Sequence, residues 1–284
     1  MRFLLARSRR GSWRRCASAL LAAATIGTLT IGGTTVTTGC KGRFGNALSR
    51  SQEIDLGQQT RQQVERQYRG RINRNPETVA RMQRIAERIF PQARRDFDVP
   101  YEINVIDSKD VNAFAIPGGP IYFYQGLIDL AESDDEIAAV LGHEAAHVSL
   151  HHSAKQVTDA YGKQTIAQLL LGRAGNLAQL AANIALTLDQ LKYSRSDESQ
   201  SDDVGFRYLT QAGYDPDAMA SFFRKMAKKG GRGGPEWLSS HPVTSKRIEA
   251  AERRAAAYKS RRTRAGDVTS APATTDALLA AAQR

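Results

Sequence analysis

The sequence predicts a mainly helical α+β domain that holds one small antiparallel sheet. Three observations lead there. Apolar residues recur at helical spacing through most of residues 51–258, strand-like alternation is confined to residues 101–126, and the pattern H-E-x-x-H occurs once, at His143 to His147. With 284 residues, 41% of them hydrophobic and 24% charged, the chain lies in the globular range, and collagen-like, coiled-coil and wholly disordered classes are excluded.

The elements follow in order. Residues 51–71 are polar with apolar side chains at Ile54, Leu56, Val64 and Tyr68, and residues 77–90 repeat them at Val79, Met82, Ile85 and Ile89. Both patterns keep one helical face apolar, and Asn75-Pro76 between them ends one helix and starts the next. In residues 101–107, Tyr101, Ile103 and Val105 alternate with polar neighbours, the period of a strand with one buried face. Residues 112–126 then read strand, Pro-Gly-Gly turn, strand, with Ile121, Tyr122, Phe123 and Tyr124 supplying high strand propensity. Residues 134–151 return to helix, with Asp134, Asp135 and Glu136 in the first turn, where carboxylates complement the helix dipole. Leu169, Leu170, Leu177, Leu180, Ile184, Leu188 and Leu191 make a second apolar stripe, broken around residues 172–175. Further helices are expected over residues 194–211, 216–228 and 244–258. From Lys259 a basic run gives way to an Ala/Thr-rich tail, residues 259–284, expected to be disordered because it has little to bury.

The formal charge of +11 is made mainly at the ends: residues 1–39 hold six Arg and no acid, and from Cys40 to Tyr258 29 basic residues face 27 acidic ones. A nearly neutral body does not track phosphates, so no nucleic-acid partner is expected. The arginines Arg2, Arg7, Arg9, Arg10, Arg14 and Arg15, the uncharged apolar run over residues 17–31 and the small polar stretch ending at Cys40 have the order of an export signal. That run falls short of the roughly 20 apolar residues of a membrane span. Gly39 before Cys40 resembles a bacterial lipobox, with Thr37 where Leu is usual; it implies a signal peptide over residues 1–39, a lipid anchor at Cys40 and a linker over residues 40–50 ahead of the domain at 51–258. Cys16 and Cys40 are the two cysteines, which leaves no thiol after Cys40 for a disulfide or a metal.

Chemistry is concentrated on the predicted helix 134–151. Residues four apart share a helical face, so His143 and His147 can ligate one zinc while Glu144 flanks the water that the metal activates. Spacing alone equally allows His147 with His151, but only the first pair has a Glu after its leading His; His151 and His152 read as structural or surface residues. A catalytic zinc takes three protein ligands and keeps one position open. Glu198, Asp202, Asp203 and His241 are the downstream candidates for the third. Glu198 and Asp202 are also four apart, so one can bind the metal while the other orients a ligand histidine.

Four segments, NAFAIPGG from Asn112, LGHEAAHVSLHH from Leu141, YSRSDESQSDD from Tyr193 and SSHPVTSKRI from Ser239, occur in this order within about residues 50–258. On these motifs the chain resembles the HtpX-like zinc endopeptidases, the forty-eighth metallopeptidase family, which belong to the gluzincins. The resemblance implies one Zn2+ per chain held by His143, His147 and Glu198, with Glu144 as catalytic base. It implies further that Asp202 stands behind a ligand histidine, that Arg247 is the buried partner of these acids, that His241 contacts the transition state, and that Asn112, Ala113 and Phe114 bind substrate. Ala146, Ser201 and Ser240 replace residues usual in the family, none of them a ligand. The exported lipoprotein members of the bacterial envelope are the closer match, because Arg173, Asn176 and Gln179 interrupt the second apolar stripe. This implies hydrolysis of unfolded or misfolded envelope proteins on the periplasmic side, from the outer membrane. A zinc-binding envelope chaperone or a structural lipoprotein with little turnover is the alternative, and the intact Glu144 argues against both.

Overall fold

The computed structural model of the chain describes residues 48–162, 166, 174–187, 192–230 and 234–269. The expected signal peptide, Cys40, Leu169, Leu170, Leu188, Leu191 and residues 270–284 lie outside them. Helix α1 (Arg50–Gln67) opens on a reciprocal cap: the Ser49 hydroxyl accepts from Gln52 N, and the Gln52 side chain accepts from Ser49 N at 2.8 Å. Leu48, within the expected linker, is buried. Helix α2 (Pro76–Asp96) starts at Asn75, whose side chain accepts from Glu77 N and Thr78 N. It runs through Pro91, past the end expected at Phe90. Pro91 and Glu87 are both exposed, so water can satisfy the carbonyl that the proline leaves without a donor. Asp96 then ties the helix end to Arg207 Nη2 and the Tyr208 hydroxyl, each at 2.5 Å.

Strands β1 (Glu102–Ile106), β2 (Ala113–Ala115) and β3 (Pro120–Tyr124) form one sheet in the order β1-β3-β2. The hairpin β2–β3 is antiparallel as expected, with Phe114 opposite Tyr122. β1, however, runs parallel to β3, Val105 opposite Phe123, so the sheet is mixed and not wholly antiparallel. Alternation reports which side of a strand is buried and is silent on its direction. The hairpin occupies one flank of β3, and residues 107–112 cross its end, where Gly126 N donates to Ser108 O at 2.8 Å.

After the short α3 (Gln125–Leu130), helix α4 (Asp134–Ser149) is capped by the Ser133 hydroxyl, which accepts from Glu136 N at 3.2 Å. Every residue from Glu136 to Ser149 is buried. A helix enclosed on all sides is the centre of its domain, and α4 packs on α2, α7 (Arg195–Gln211) and α8 (Ala218–Lys229). Between α4 and α7 the backbones nearly touch. A methyl group on Gly205 would stand 2.8 Å from His143 N, and one on Gly142 2.9 Å from Gly205 O, so only hydrogen at both positions lets the two helices close on each other beside the histidine motif.

Two cores flank the sheet. Met82, Ile89, Phe123, Leu141, Phe222 and Trp237 belong to the larger. In the smaller, Leu180 and Ile184 of α6 (Ala174–Thr187) bury with Leu56 and Val64 of α1. That part of the second apolar stripe is therefore core, and among the described residues no helix is long and apolar enough to cross a membrane. The remaining elements are α5 (His152–Tyr161), α9 (Trp237–Ser240) and α10 (Ser245–Thr269). α10 continues past Tyr258 to Thr269 where a disordered tail was expected: the stretch holds the helix formers Lys259, Arg261, Arg262, Arg264 and Ala265, and Lys259 pairs with Asp217 of the loop before α8.

Candidate metal centre

α4 presents His143 and His147 one turn apart, with their Nε2 atoms 3.0 Å from each other and both rings fully buried. α7 brings Glu198 opposite them: Oε1 lies 3.4 Å from His147 Nε2 and Oε2 3.6 Å from His143 Nε2. His241, at the end of α9, joins the same cluster, with Nδ1 2.9 Å from Glu198 Oε1 and 3.3 Å from His143 Nε2. One ligand atom from each of these four side chains falls within 4.8 Å of all the others. Zinc–nitrogen distances of about 2.0–2.1 Å in a tetrahedron put neighbouring donors roughly 3.3 Å apart. The observed spacings bracket that value.

Charge makes the same point. Glu144, Glu198 and Asp202 are buried together with one guanidinium, Arg247, so the carboxylates outnumber the fixed cation by two. Buried charge is costly unless matched, and a divalent ion matches it. Protonation suits a metal as well. Burial holds His147 well below the usual imidazole range, outweighing Glu198, so the ring is neutral and has a lone pair to give. Burial would raise the Glu198 carboxyl, but His241, His147 and His143 hold it well below its ordinary value. For His241 burial is opposed by Glu198 and Glu144, which raise its pKa. The expected single zinc thus has a fitting set of donors.

Asp202 and Arg247, named from the sequence, stand around the cluster. Asp202 Oδ1 stands 3.1 Å from His143 Nδ1, on the side of the ring away from the cluster. Arg247 grips Asp202 with a fork, Nε to Oδ2 at 2.8 Å and Nη2 to Oδ1 at 2.7 Å, and reaches Glu198 Oε2 with Nη1 at 2.6 Å. Burial alone would raise Asp202; the nearby His143 ring and the bonds from Arg247 lower it instead. Asp203, the other acid weighed from the sequence, is turned away to pair with Arg254. Glu144 is buried behind His143; Trp237 Nε1 donates to its Oε1 at 3.1 Å, and its Oε2 has no hydrogen-bond partner. Asn112 and Phe114 are buried, and β2, which carries Ala113 and Phe114, is an edge strand of the sheet. Asn112 spends its side-chain oxygen on Ala113 N at 2.9 Å.

Three residues of the centre had no role from the sequence. Trp237 orients Glu144 and stacks on His241, ring centroids 4.8 Å apart. The ring of Tyr193, whose hydroxyl lies 3.1 Å from Ser153 Oγ, covers His147 at 3.8 Å. His152, read as structural or surface, is buried with Nδ1 3.1 Å from His147 Nδ1. Burial, against the opposing charge of Asp197, lowers its pKa to about 4. His151, by contrast, is half-buried and its Nδ1 meets Glu53 Oε1 at 2.7 Å, which fits its structural reading.

A helix-borne H-E-x-x-H and an acid from a second helix, closing on one buried point beside a small sheet, define a metallopeptidase domain. Residues 76–255 match the model of peptidase family M48, and the chain belongs to that family. It is 29% identical over 214 residues to the mitochondrial metalloendopeptidase OMA1 of Schizosaccharomyces pombe, covering 73% of this chain and 62% of that protein. To the metalloprotease LoiP of Escherichia coli it is 34% identical over 154 residues, 53% of this chain and 61% of LoiP. To the beta-barrel assembly-enhancing protease of Escherichia coli it is 26% identical over 225 residues, 74% of this chain and 45% of that one. The chain thus spans less than two thirds of the length of each of these relatives.

Proposed function

We propose that the chain is a zinc metalloendopeptidase of the bacterial cell envelope that hydrolyses peptide bonds of unfolded or misfolded envelope proteins. The convergence of His143, His147 and Glu198 on one buried point, with Glu144 beside them and its Oε2 unpartnered, carries this reading. His143, His147 and Glu198 would hold the zinc, which would supply an activated water, its pKa lowered toward ~7, and an electrophile for the scissile carbonyl. Glu144 Oε2 would take a proton from the attacking water and return it to the leaving amine, with its other oxygen held by the bond from Trp237. His241 would donate a hydrogen bond to the oxygen on which negative charge develops. Asp202, locked by Arg247, keeps His143 turned to the metal. The edge of β2, with Asn112, Ala113 and Phe114 along it, would pair with an extended substrate that displaces the bonds of Ala113 N to Asn112 Oδ1 and of Ser153 Oγ to Ala115 O, a mode that gives affinity with little sequence selectivity and suits unfolded chains. Cleavage of casein by the protein is expected to stop when a chelator strips the metal and to return with zinc; cleavage that survives stripping would sink the proposal.

A second reading is favoured by the position of His241. With Nδ1 among the donor atoms it could act as a fourth ligand and close the position that hydrolysis needs, as in a zinc-binding envelope protein with little turnover.

The envelope assignment rests on the export-type leader, and with it we propose lipidation at Cys40 and residence on the periplasmic face of the outer membrane. The likeness to a protease named for enhancing β-barrel assembly supports an envelope role. Cys40→Ser is expected to release the mature protein from membranes. An intact mass showing an N-terminus other than acylated Cys40 would remove the anchor and leave the zinc site untouched.

A further inference from the structure

We infer that His152 is a positioning residue of the metal centre: it accepts the Nδ1–H of His147 and so fixes the tautomer and ring direction in which His147 Nε2 faces the metal. The inference rests on the zinc reading above. In a continuous helix five residues advance about 500°, which puts His152 roughly 140° around the axis from His147 and out of reach. The chain does not continue as a helix. It turns at His151, whose φ of 58° is left-handed and rarely adopted by residues other than glycine. Glu53 from α1 holds the His151 ring at 2.7 Å, and Phe97 packs on its edge at 4.3 Å. Helix α5 starts at once in a new direction, and His152 comes back against His147, 4% exposed, with the two Nδ1 atoms 3.1 Å apart.

A hydrogen bond between two ring nitrogens needs one proton and one lone pair. His147 Nε2 is among the atoms that could hold the metal; with its lone pair given there, a neutral ring would carry its proton on Nδ1. The His152 Nδ1 is then the acceptor and its own proton sits on Nε2, which faces Asp197 Oδ1 at 3.7 Å. The Ser201 hydroxyl, 3.1 Å from the same His152 Nδ1, has no ring proton to accept in this tautomer and shares the one lone pair with His147 as a second donor. Asp197 is itself held, accepting from Ser194 N at 3.1 Å and standing 3.7 Å from Lys155 Nζ. Asp202 of α7 thus stands against His143, and His152 against His147, with Asp197 of α7 3.7 Å from the far nitrogen of His152. A metal-binding histidine whose outer nitrogen is so fixed loses less freedom on binding and is the better donor.

The test uses the full-length chain with His152 replaced by Leu, which fills space without an acceptor, and by Asn, whose side-chain oxygen stands near the place of Nδ1. In chelator competition His152→Leu is expected to bind zinc about 10–100-fold more weakly, with His152→Asn within about threefold of the parent. A merely structural histidine would give no such rescue. In the zinc-loaded parent, nitrogen-15 imidazole correlations are expected to report His147 protonated at Nδ1 and His152 at Nε2. The opposite tautomer at His152 overturns the inference even if the Leu variant does not fold. Equal zinc affinity in the parent and a folded His152→Leu overturns it too, with the zinc reading left standing; a parent that binds no zinc ends the zinc reading, and this inference with it.

Discussion

Glu144→Gln is expected to retain one zinc per chain and to lower casein cleavage by about 10²–10⁴-fold, the range associated with loss of a positioned general base. The reason lies in what each atom of Glu144 touches. Oε1 accepts from Trp237 Nε1, and a Gln amide oxygen can do the same. Oε2 has no partner to lose, and no Glu144 oxygen belongs to the group of donor atoms. The amide nitrogen put in its place cannot accept a proton. The substitution also removes a buried charge, so the fold should not suffer, and a thermal melt of the zinc-free protein checks this. His143→Ala and His147→Ala, which remove donors, should lose zinc and activity together. Zinc loss in Glu144→Gln as complete as theirs would mean that a ligand has been mistaken for a base. Undiminished cleavage would mean that the proton leaves by another route.

Local patterns in the sequence were enough for most of the scaffold. Caps, apolar periodicity and the Pro-Gly-Gly turn report on neighbours in the chain, and α1, α2, β2, β3 and α4 lie close to where those signals put them. The parallel direction of β1 was hidden because strand pairing is a relation between distant segments, and the residues of β1 alternate alike in either orientation. The extension of α10 was hidden for a different reason. A run of Lys and Arg reads as solvated chain until Asp217, in the loop before α8, provides a partner for Lys259. Within the centre, spacing on one helix was legible and contacts across helices were not. His143 with His147, and Glu198 with Asp202, are four apart and were paired from the sequence. Trp237 and Tyr193 reach the site from segments with no recurring pattern, and His152 reaches it through a left-handed residue that no helical wheel allows for. Gly142 and Gly205 were silent as well, since the need for two bare backbones appears only when α4 and α7 are laid against each other.

The contrast between Glu198→Ala and His241→Ala is expected to decide which side chain completes the ligand set. Both touch the cluster, Glu198 Oε1 at 3.4 Å from His147 Nε2 and His241 Nδ1 at 3.3 Å from His143 Nε2, so distance alone does not separate them. Chemistry does. Glu198 is held ionised at the bottom of the site and its second oxygen is gripped by Arg247 at 2.6 Å, which fixes its aim before any metal arrives. His241 sits where α9 ends, and its other nitrogen, Nε2, lies 3.6 Å from Glu144 Oε1, on the side where water and substrate carbonyl must meet. Glu198→Ala should therefore weaken zinc by more than the roughly 10–100-fold that loss of an outer partner costs. Arg247 keeps its fork on Asp202 and its bond to Pro242 O at 3.0 Å, so the variant should remain folded. His241→Ala should keep zinc and lose about 10²–10³-fold in rate, the effect of removing one donor to an oxyanion. Chelator competition measures the first quantity and casein turnover at saturating zinc the second. If His241→Ala empties the site while Glu198→Ala does not, Glu198 is not the third ligand. If His241→Ala keeps its zinc and cleaves faster than the parent, His241 is a fourth ligand that closes the site, and the hydrolytic form is the one from which it has withdrawn.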